Sequence, residues 1–152
     1  MRKLTVKALT DVGLKRDHNE DYYGFVDELG VYVVCDGMGG HASGEVASRM
    51  TVEHLVAFVS ENKNAPPQSM PYGHLPGATP AETLLSNAIQ YANDRVYVEG
   101  MKDSKLEGMG TTVVAMLASP DSFVVGHVGD SRVYCFNPTN RLAQVSRDHS
   151  LL

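Results

Sequence analysis

The segment Val31-Tyr32-Val33-Val34-Cys35-Asp36-Gly37-Met38-Gly39-Gly40-His41 holds the transition on which the fold reading turns. Its first five residues are apolar on both faces and rich in β-branched side chains, which predicts a buried strand. The run stops at Asp36, a glycine-rich crook follows, and from Ala42 the hydrophobic period changes. Val46, Met50, Val52, His54, Leu55, Val56 and Val59 recur at helical spacing as far as Asn62, with Ser43 or the preceding glycines to cap the start. Upstream, Glu28-Leu29-Gly30 reads as a hairpin turn from a strand over 22–26. Residues 4–10 alternate well enough to predict an N-terminal strand, and 11–21 are polar.

Downstream, residues 63–78 hold Pro66, Pro67, Pro71 and Pro76 with two glycines, and predict a loop. Thr79-Pro80-Ala81-Glu82 is a capping box with proline at the first helical position. Leu84, Leu85, Ala88, Ile89, Ala92 and Val96 form the stripe of a second helix ending near Gly100. The last third predicts strands over 111–117, 122–128, 132–136 and 142–145, separated by Ser119-Pro120-Asp121 and Asn137-Pro138-Thr139-Asn140. Strands in runs around two consecutive helices favour an α+β fold of antiparallel sheets over a parallel βαβ arrangement.

At 152 residues, 43% hydrophobic and 20% charged, the chain has the size and composition of a single domain, 1–152, with a buried core. Thirteen Lys and Arg against 18 Asp and Glu give a net charge of −5, with no basic block, which argues against a nucleic-acid partner. No apolar stretch approaches the ~18 residues a membrane span needs. Arg2 and Lys3 are not followed by the apolar stretch of a signal peptide. The expectation is a cytoplasmic protein with no membrane partner. Cys35 and Cys135 both lie in apolar, strand-like stretches, which predicts two buried free thiols.

Three constellations could carry chemistry. Arg16-Asp17-His18-Asn19-Glu20-Asp21 is either a solvated loop or the rim of a site. In an ideal strand Asn19 and Asp21 share a face and Glu20 points away, so a joint site there requires a bend. In Asp36-Gly37-Met38-Gly39-Gly40-His41, a carboxylate ends an apolar strand, which is costly unless it is paired or holds a metal. Hard cations take carboxylate and carbonyl oxygens, and glycines let backbone approach closely. An ordinary glycine turn with a solvated Asp36 fits the same letters, whereas a P-loop does not, because no Gly-Lys-Ser/Thr follows. Val128-Gly129-Asp130-Ser131-Arg132 reads on its own letters first as ordinary hairpin chemistry between two strands. His54 and His74 are given no role.

Taken together, these segments resemble the metal-dependent protein phosphatase family, the type 2C Ser/Thr phosphatases, in its bacterial style. The resemblance is carried by Thr10-Asp11-Val12-Gly13 through Arg16 to Asn19-Glu20-Asp21, and by 34–41 with Ser43-Gly44-Glu45. It continues through Gly108-Met109-Gly110-Thr111-Thr112, Val128-Gly129-Asp130-Ser131-Arg132 and Asp148-His149-Ser150. It implies an antiparallel β-sandwich flanked by helix pairs (α-β-β-α) with a cleft at one end. It implies two Mn²⁺ or Mg²⁺ ions bridged by Asp36, with the Gly37 carbonyl on one of them and Asp130 at a third, weaker ion. Glu20 and Asp21 would hold metal-bound waters, Arg16 would bind the substrate phosphate, and His41 would stand as general acid. The partners implied are phosphorylated proteins.

The family's domain continues past Asp148-His149-Ser150 with two further aspartate motifs, so the expectation is an incomplete chain with weak or no activity alone and exposed edges prone to self-association. The alternative is a non-catalytic pseudophosphatase that holds phosphopeptides through Arg16 or docks a Ser/Thr kinase. A different metal hydrolase ranks last, because no histidine-rich zinc set appears. Residues 63–78 and 101–110 are both candidates to gate the cleft.

Overall fold

The computed structural model describes residues 4–39, 42–139 and 141–149. In chain order these hold β1 (Asp21–Val26), β2 (Val31–Met38), α1 (Ala42–Asn62), α2 (Pro80–Lys102), β3 (Gly110–Thr111), β4 (Val113–Ala118), β5 (Phe123–Val128), β6 (Tyr134–Asn137) and β7 (Arg141–Gln144). The main sheet runs β1-β2-β4-β5, with β3 pairing the far end of β2, and every pairing is antiparallel. A separate β6–β7 hairpin completes the sheets. The architecture is therefore α+β, with both helices packed on one face of an antiparallel sheet.

The pleat sorts the side chains. Val31, Val33 and Cys35 of β2, with Val113, Ala115 and Leu117 of β4, point toward the helices and are buried. They meet Leu55, Phe58 and Val59 of α1 and Leu84, Leu85 and Ala88 of α2. Burying each leucine contributes about 1.5–3 kcal/mol, and this layer is the core. The capping box at Thr79 forms as the sequence implies: its hydroxyl accepts from Glu82 N, and the Glu82 carboxylate accepts from Thr79 N at 2.7 Å. Asn87, fully buried in α2, ties the proline-rich loop down. Its amide donates to Gly73 O and Thr83 O, and its Oδ1 accepts from Tyr72 N at 2.7 Å.

Five expectations change. Residues 4–10 form no strand and their side chains are largely exposed, because none of them enters a strand pairing and an isolated extended segment is not stable in water. The 31–35 stretch is not buried on both faces: Val34 is 53% exposed, since the helices cover only one side of the sheet. Cys35 is buried but Cys135 is exposed, because the β6–β7 hairpin packs neither face into the core. Among the described residues the second sheet is this two-stranded hairpin. The loop over 63–78 cannot flank the end of β2 that carries Asp36. It lies with Leu29, Leu117 and Ser119 at the opposite end of the strands, around a groove of about 300 Å³.

Candidate active site

Asp21 and Asp36 sit directly opposite one another where β1 and β2 pair. Strand alternation turns both carboxylates onto the open face of the sheet, away from the helices. Asp36 is accordingly accessible. Even so, its carboxyl is pushed up from the usual carboxylate range, first by partial burial, then by Asp21; Asp130 adds to the rise and Arg16 opposes it. Three residues from two separate segments, 16–21 and 128–132, thus act on one carboxyl group.

Glu20 takes the other side. Its backbone carbonyl accepts from Gly37 N at 3.1 Å, and its side chain, only 14% exposed, runs toward Gly44 in the first turns of α1. Glu20 and Asp21 therefore lie on opposite faces, as in a regular strand. Asn19 Oδ1 accepts from Asp21 N at 3.0 Å, its amide donates to Thr10, and alternation then places the two carboxylates on opposite sides of the Asp36–Gly37 step. Glu20 Oε2 accepts from Arg16 Nη1 at 3.2 Å, while Glu20 Oε1 is buried with no hydrogen-bond partner among the described residues. An orphaned buried carboxylate oxygen is costly and marks a place for a cation or an ordered water.

Glycines 37 and 44 make this geometry possible. A Cβ on Gly37 would collide with the Gly44 carbonyl and lie 2.7 Å from Glu20 O; one on Gly44 would lie 2.9 Å from the Glu20 carboxyl carbon. Strand, helix and acidic segment thus meet backbone to backbone. The stretch before β3 closes in from another side, with Met109 Cα 3.2 Å from where a Gly39 Cβ would stand, so residues 101–110, unlike 63–78, border the site.

Asp130 follows β5, in a turn that begins at Gly129 with φ of +100°. Gly129 N donates to His149 Nδ1 at 3.4 Å, and His149 N donates back to Gly129 O at 3.0 Å. Arg132 grips Asp148 through Nε, 3.0 Å from both carboxylate oxygens, and through Nη2. The guanidinium lowers the Asp148 carboxyl below the usual range, and Gln144 assists. Two residues that carried no assigned role lie inside this site. Thr112 bonds Asp36 through backbone and hydroxyl, and Ser131 meets the same hydroxyl at 2.6 Å. The signal available in the sequence was a hydroxyl residue beside a glycine-flanked strand start.

His41 lies outside the described residues. Of the other assigned residues, Asp36, Asp21, Asp130 and Arg16 come together, and Glu20 joins them through Arg16. Carboxylates are hard-oxygen donors of the kind Mg²⁺ and Mn²⁺ take, and the repulsion among Asp36, Asp21 and Asp130 with the orphaned Glu20 oxygen fits a nearby cation. Among the described residues, however, no three Asp, Glu, His or Cys side chains already converge as a finished metal cluster. No helix among them is long and apolar enough to cross a membrane.

Known proteins resemble this chain in sequence and fold. A family model described as protein phosphatase 2C matches residues 15–151. The serine/threonine phosphatase stp of Listeria welshimeri serovar 6b is 38% identical over 146 residues, which are 94% of this chain and 54% of that protein. Stp1 from Staphylococcus aureus superposes with a TM-score of 0.74 at 36% identity, over 93% of this chain and 52% of that one. The catalytic domain of the serine threonine protein phosphatase PstP, solved in complex with two manganese ions, gives 0.70 at 31% identity, over 91% and 53%. The chain spans about half the length of the curated relatives it matches. With the acidic pair on β1 and β2 and the 129–132 turn in place, this chain belongs to the protein phosphatase 2C family.

Proposed function

We propose that this chain serves a metal-dependent protein serine/threonine phosphatase acting on phosphoserine and phosphothreonine in protein substrates. The observation that carries the reading is Asp36 in register with Asp21, under the influence of Arg16 and Asp130. Asp36, the Gly37 carbonyl and Asp130 would hold the divalent cations, Mn²⁺ or Mg²⁺, with Glu20 and Asp21 orienting water around them. When bound, such ions supply Lewis-acid stabilisation of phosphoryl oxygens and lower the pKa of water. Arg16 binds the phosphate: a guanidinium carries five N–H donors, so the bond to Glu20 fixes its plane while others face the ester. His41 is assigned protonation of the departing serine or threonine oxygen. Phe25, Val34, Met38 and Phe123, all large and exposed, support reading the open sheet face as the inner face of a β-sandwich.

The second reading is a phosphopeptide-binding module that needs no metal, and the lack of a finished three-residue cluster among the described residues favours it. Calorimetric titration separates the two. Mn²⁺ binding that disappears in Asp36→Ala supports the phosphatase; Mn²⁺ binding indifferent to that change overturns it. Phosphopeptide binding without metal that is abolished by Arg16→Ala would establish the second.

A further inference from the structure

We propose that Thr112 and Ser131 form a hydroxyl clamp that fixes the distance between Asp36 and Asp130. The inference rests on the reading of those two aspartates as the cation-holding pair. Thr112 occupies the break between β3 and β4, where the ladder to β2 is interrupted. Its N–H still donates to Asp36 O at 2.8 Å. The return bond does not go backbone to backbone: Asp36 N donates to the Thr112 hydroxyl at 3.1 Å, and the Thr112 carbonyl accepts from Thr111 Oγ1 at 2.9 Å. A side chain thus replaces a ladder acceptor at the residue that matters most for the site.

The same hydroxyl lies 2.6 Å from Ser131 Oγ, next to Asp130. A threonine hydroxyl has one donor and two acceptor positions, so it can accept from Asp36 N and bond Ser131 in either direction. The far side of the side chain is engaged as well. A Cβ on Gly129 would stand 2.7 Å from Thr112 Cγ2, so the bare glycine packs on the threonine methyl. Hydroxyl and methyl together join β2 to the 129–131 turn. Like charges on Asp36 and Asp130 work against that closure, and the clamp opposes them. Thr112 and Ser131 are positioning residues: they act through the two aspartates.

The test uses the whole chain with Thr112→Val, which keeps shape and loses the hydroxyl, Thr112→Ser, which keeps the hydroxyl, and Ser131→Ala. Without metal, amide hydrogen exchange at Asp36 N, followed by NMR, should accelerate in Thr112→Val and Ser131→Ala and stay close to wild type in Thr112→Ser. Unchanged exchange at Asp36 in Ser131→Ala overturns the clamp, whether or not the chain binds metal. With Mn²⁺, calorimetry should show affinity about tenfold weaker in Thr112→Val and in Ser131→Ala, the lower end of the loss when a ligand's orienting partner is removed. The double variant should lose no more than Thr112→Val alone. Affinity held at the wild-type value while the melting temperature falls would reduce Thr112 to a structural residue and overturn the proposal. Asp36→Ala, run alongside, reports separately on the metal reading: if it binds Mn²⁺ like wild type, that reading fails, and the exchange data alone judge the clamp.

Discussion

Placing a methyl group on Gly37 should unseat the start of α1 from β2. The atoms it would strike are the Gly44 carbonyl and Glu20 O, all backbone, so no side-chain rotation relieves them. Overpacking of this kind costs about 1–3 kcal/mol, and the reduced entropy of the unfolded chain returns less than 1. A net loss of about 1–2 kcal/mol lowers the melting temperature of a domain this size by roughly 2–8 °C. Gly44→Ala provides the contrast. It lies within α1, where alanine is favoured by about 1 kcal/mol, and its nearest obstacle is the Glu20 carboxyl group, the movable end of a side chain. The expected change is near zero. In a Glu20→Ala background the Gly37 carbonyl carbon, 3.0 Å from the new Cβ, remains, and Gly44→Ala should be tolerated better than in wild type. Thermal melts followed by circular dichroism measure the wild type and all four variants. A Gly37→Ala protein that melts like wild type, or a Gly44→Ala protein destabilised as much as Gly37→Ala, would refute the backbone-to-backbone packing described here.

Asp36 should destabilise the metal-free fold at neutral pH. Its carboxyl is raised, so the native state holds the proton more tightly than the unfolded chain, and its contribution is lost as pH rises through the raised value. Asp36→Asn should therefore melt higher than wild type at pH 7, with the difference shrinking toward pH 3; a constant difference refutes the assignment. Asp148 has the opposite sign: Arg132 lowers its carboxyl, so the stability it adds is present above the ordinary carboxylate range and lost as pH falls through the lowered value. Arg132→Ala should blunt that acid sensitivity in melts between pH 5 and 2 and expose 145–149 to limited proteolysis. Of the two thiols, exposed Cys135 should react with an aromatic disulfide reagent at once. Cys35, which burial pushes up to about 12, should react only on unfolding; fast modification in Cys135→Ser would contradict its burial.

What the sequence discloses follows the range of the interaction responsible. The change of period at Ala42, the stop near Asn62 and the Thr79–Glu82 box are local, and α1 and the start of α2 lie where those letters place them. Residues 4–10 have the alternation of a strand and form none, because a strand needs a partner that its own letters do not name. Val34 and Cys135 depart from expectation for a related reason: hydrophobicity reports what a residue tolerates, while coverage by another layer decides whether it is buried. In the site, Asp36 was legible as a carboxylate closing an apolar run, but its partners were not. Asp21 reaches it through strand register, and Thr112 through a ladder break 76 residues along the chain.

The charge count at the end of β2 explains why this region is built from backbone contacts and clamps. Asp21, Asp36, Asp130 and Glu20 set four carboxylates near one guanidinium, Arg16, and one buried carboxylate oxygen has no hydrogen-bond partner among the described residues. The core lies one layer away, between the sheet and the helices, and offsets that repulsion without touching it. Such an arrangement is most stable when positive charge arrives from outside, since any ligand that binds only the native state adds RT ln(1 + [L]/Kd) to its stability. Cation binding and fold stability are then linked through the same carboxylates. On this argument Mn²⁺ should raise the melting temperature of wild type and should not raise that of Asp36→Asn.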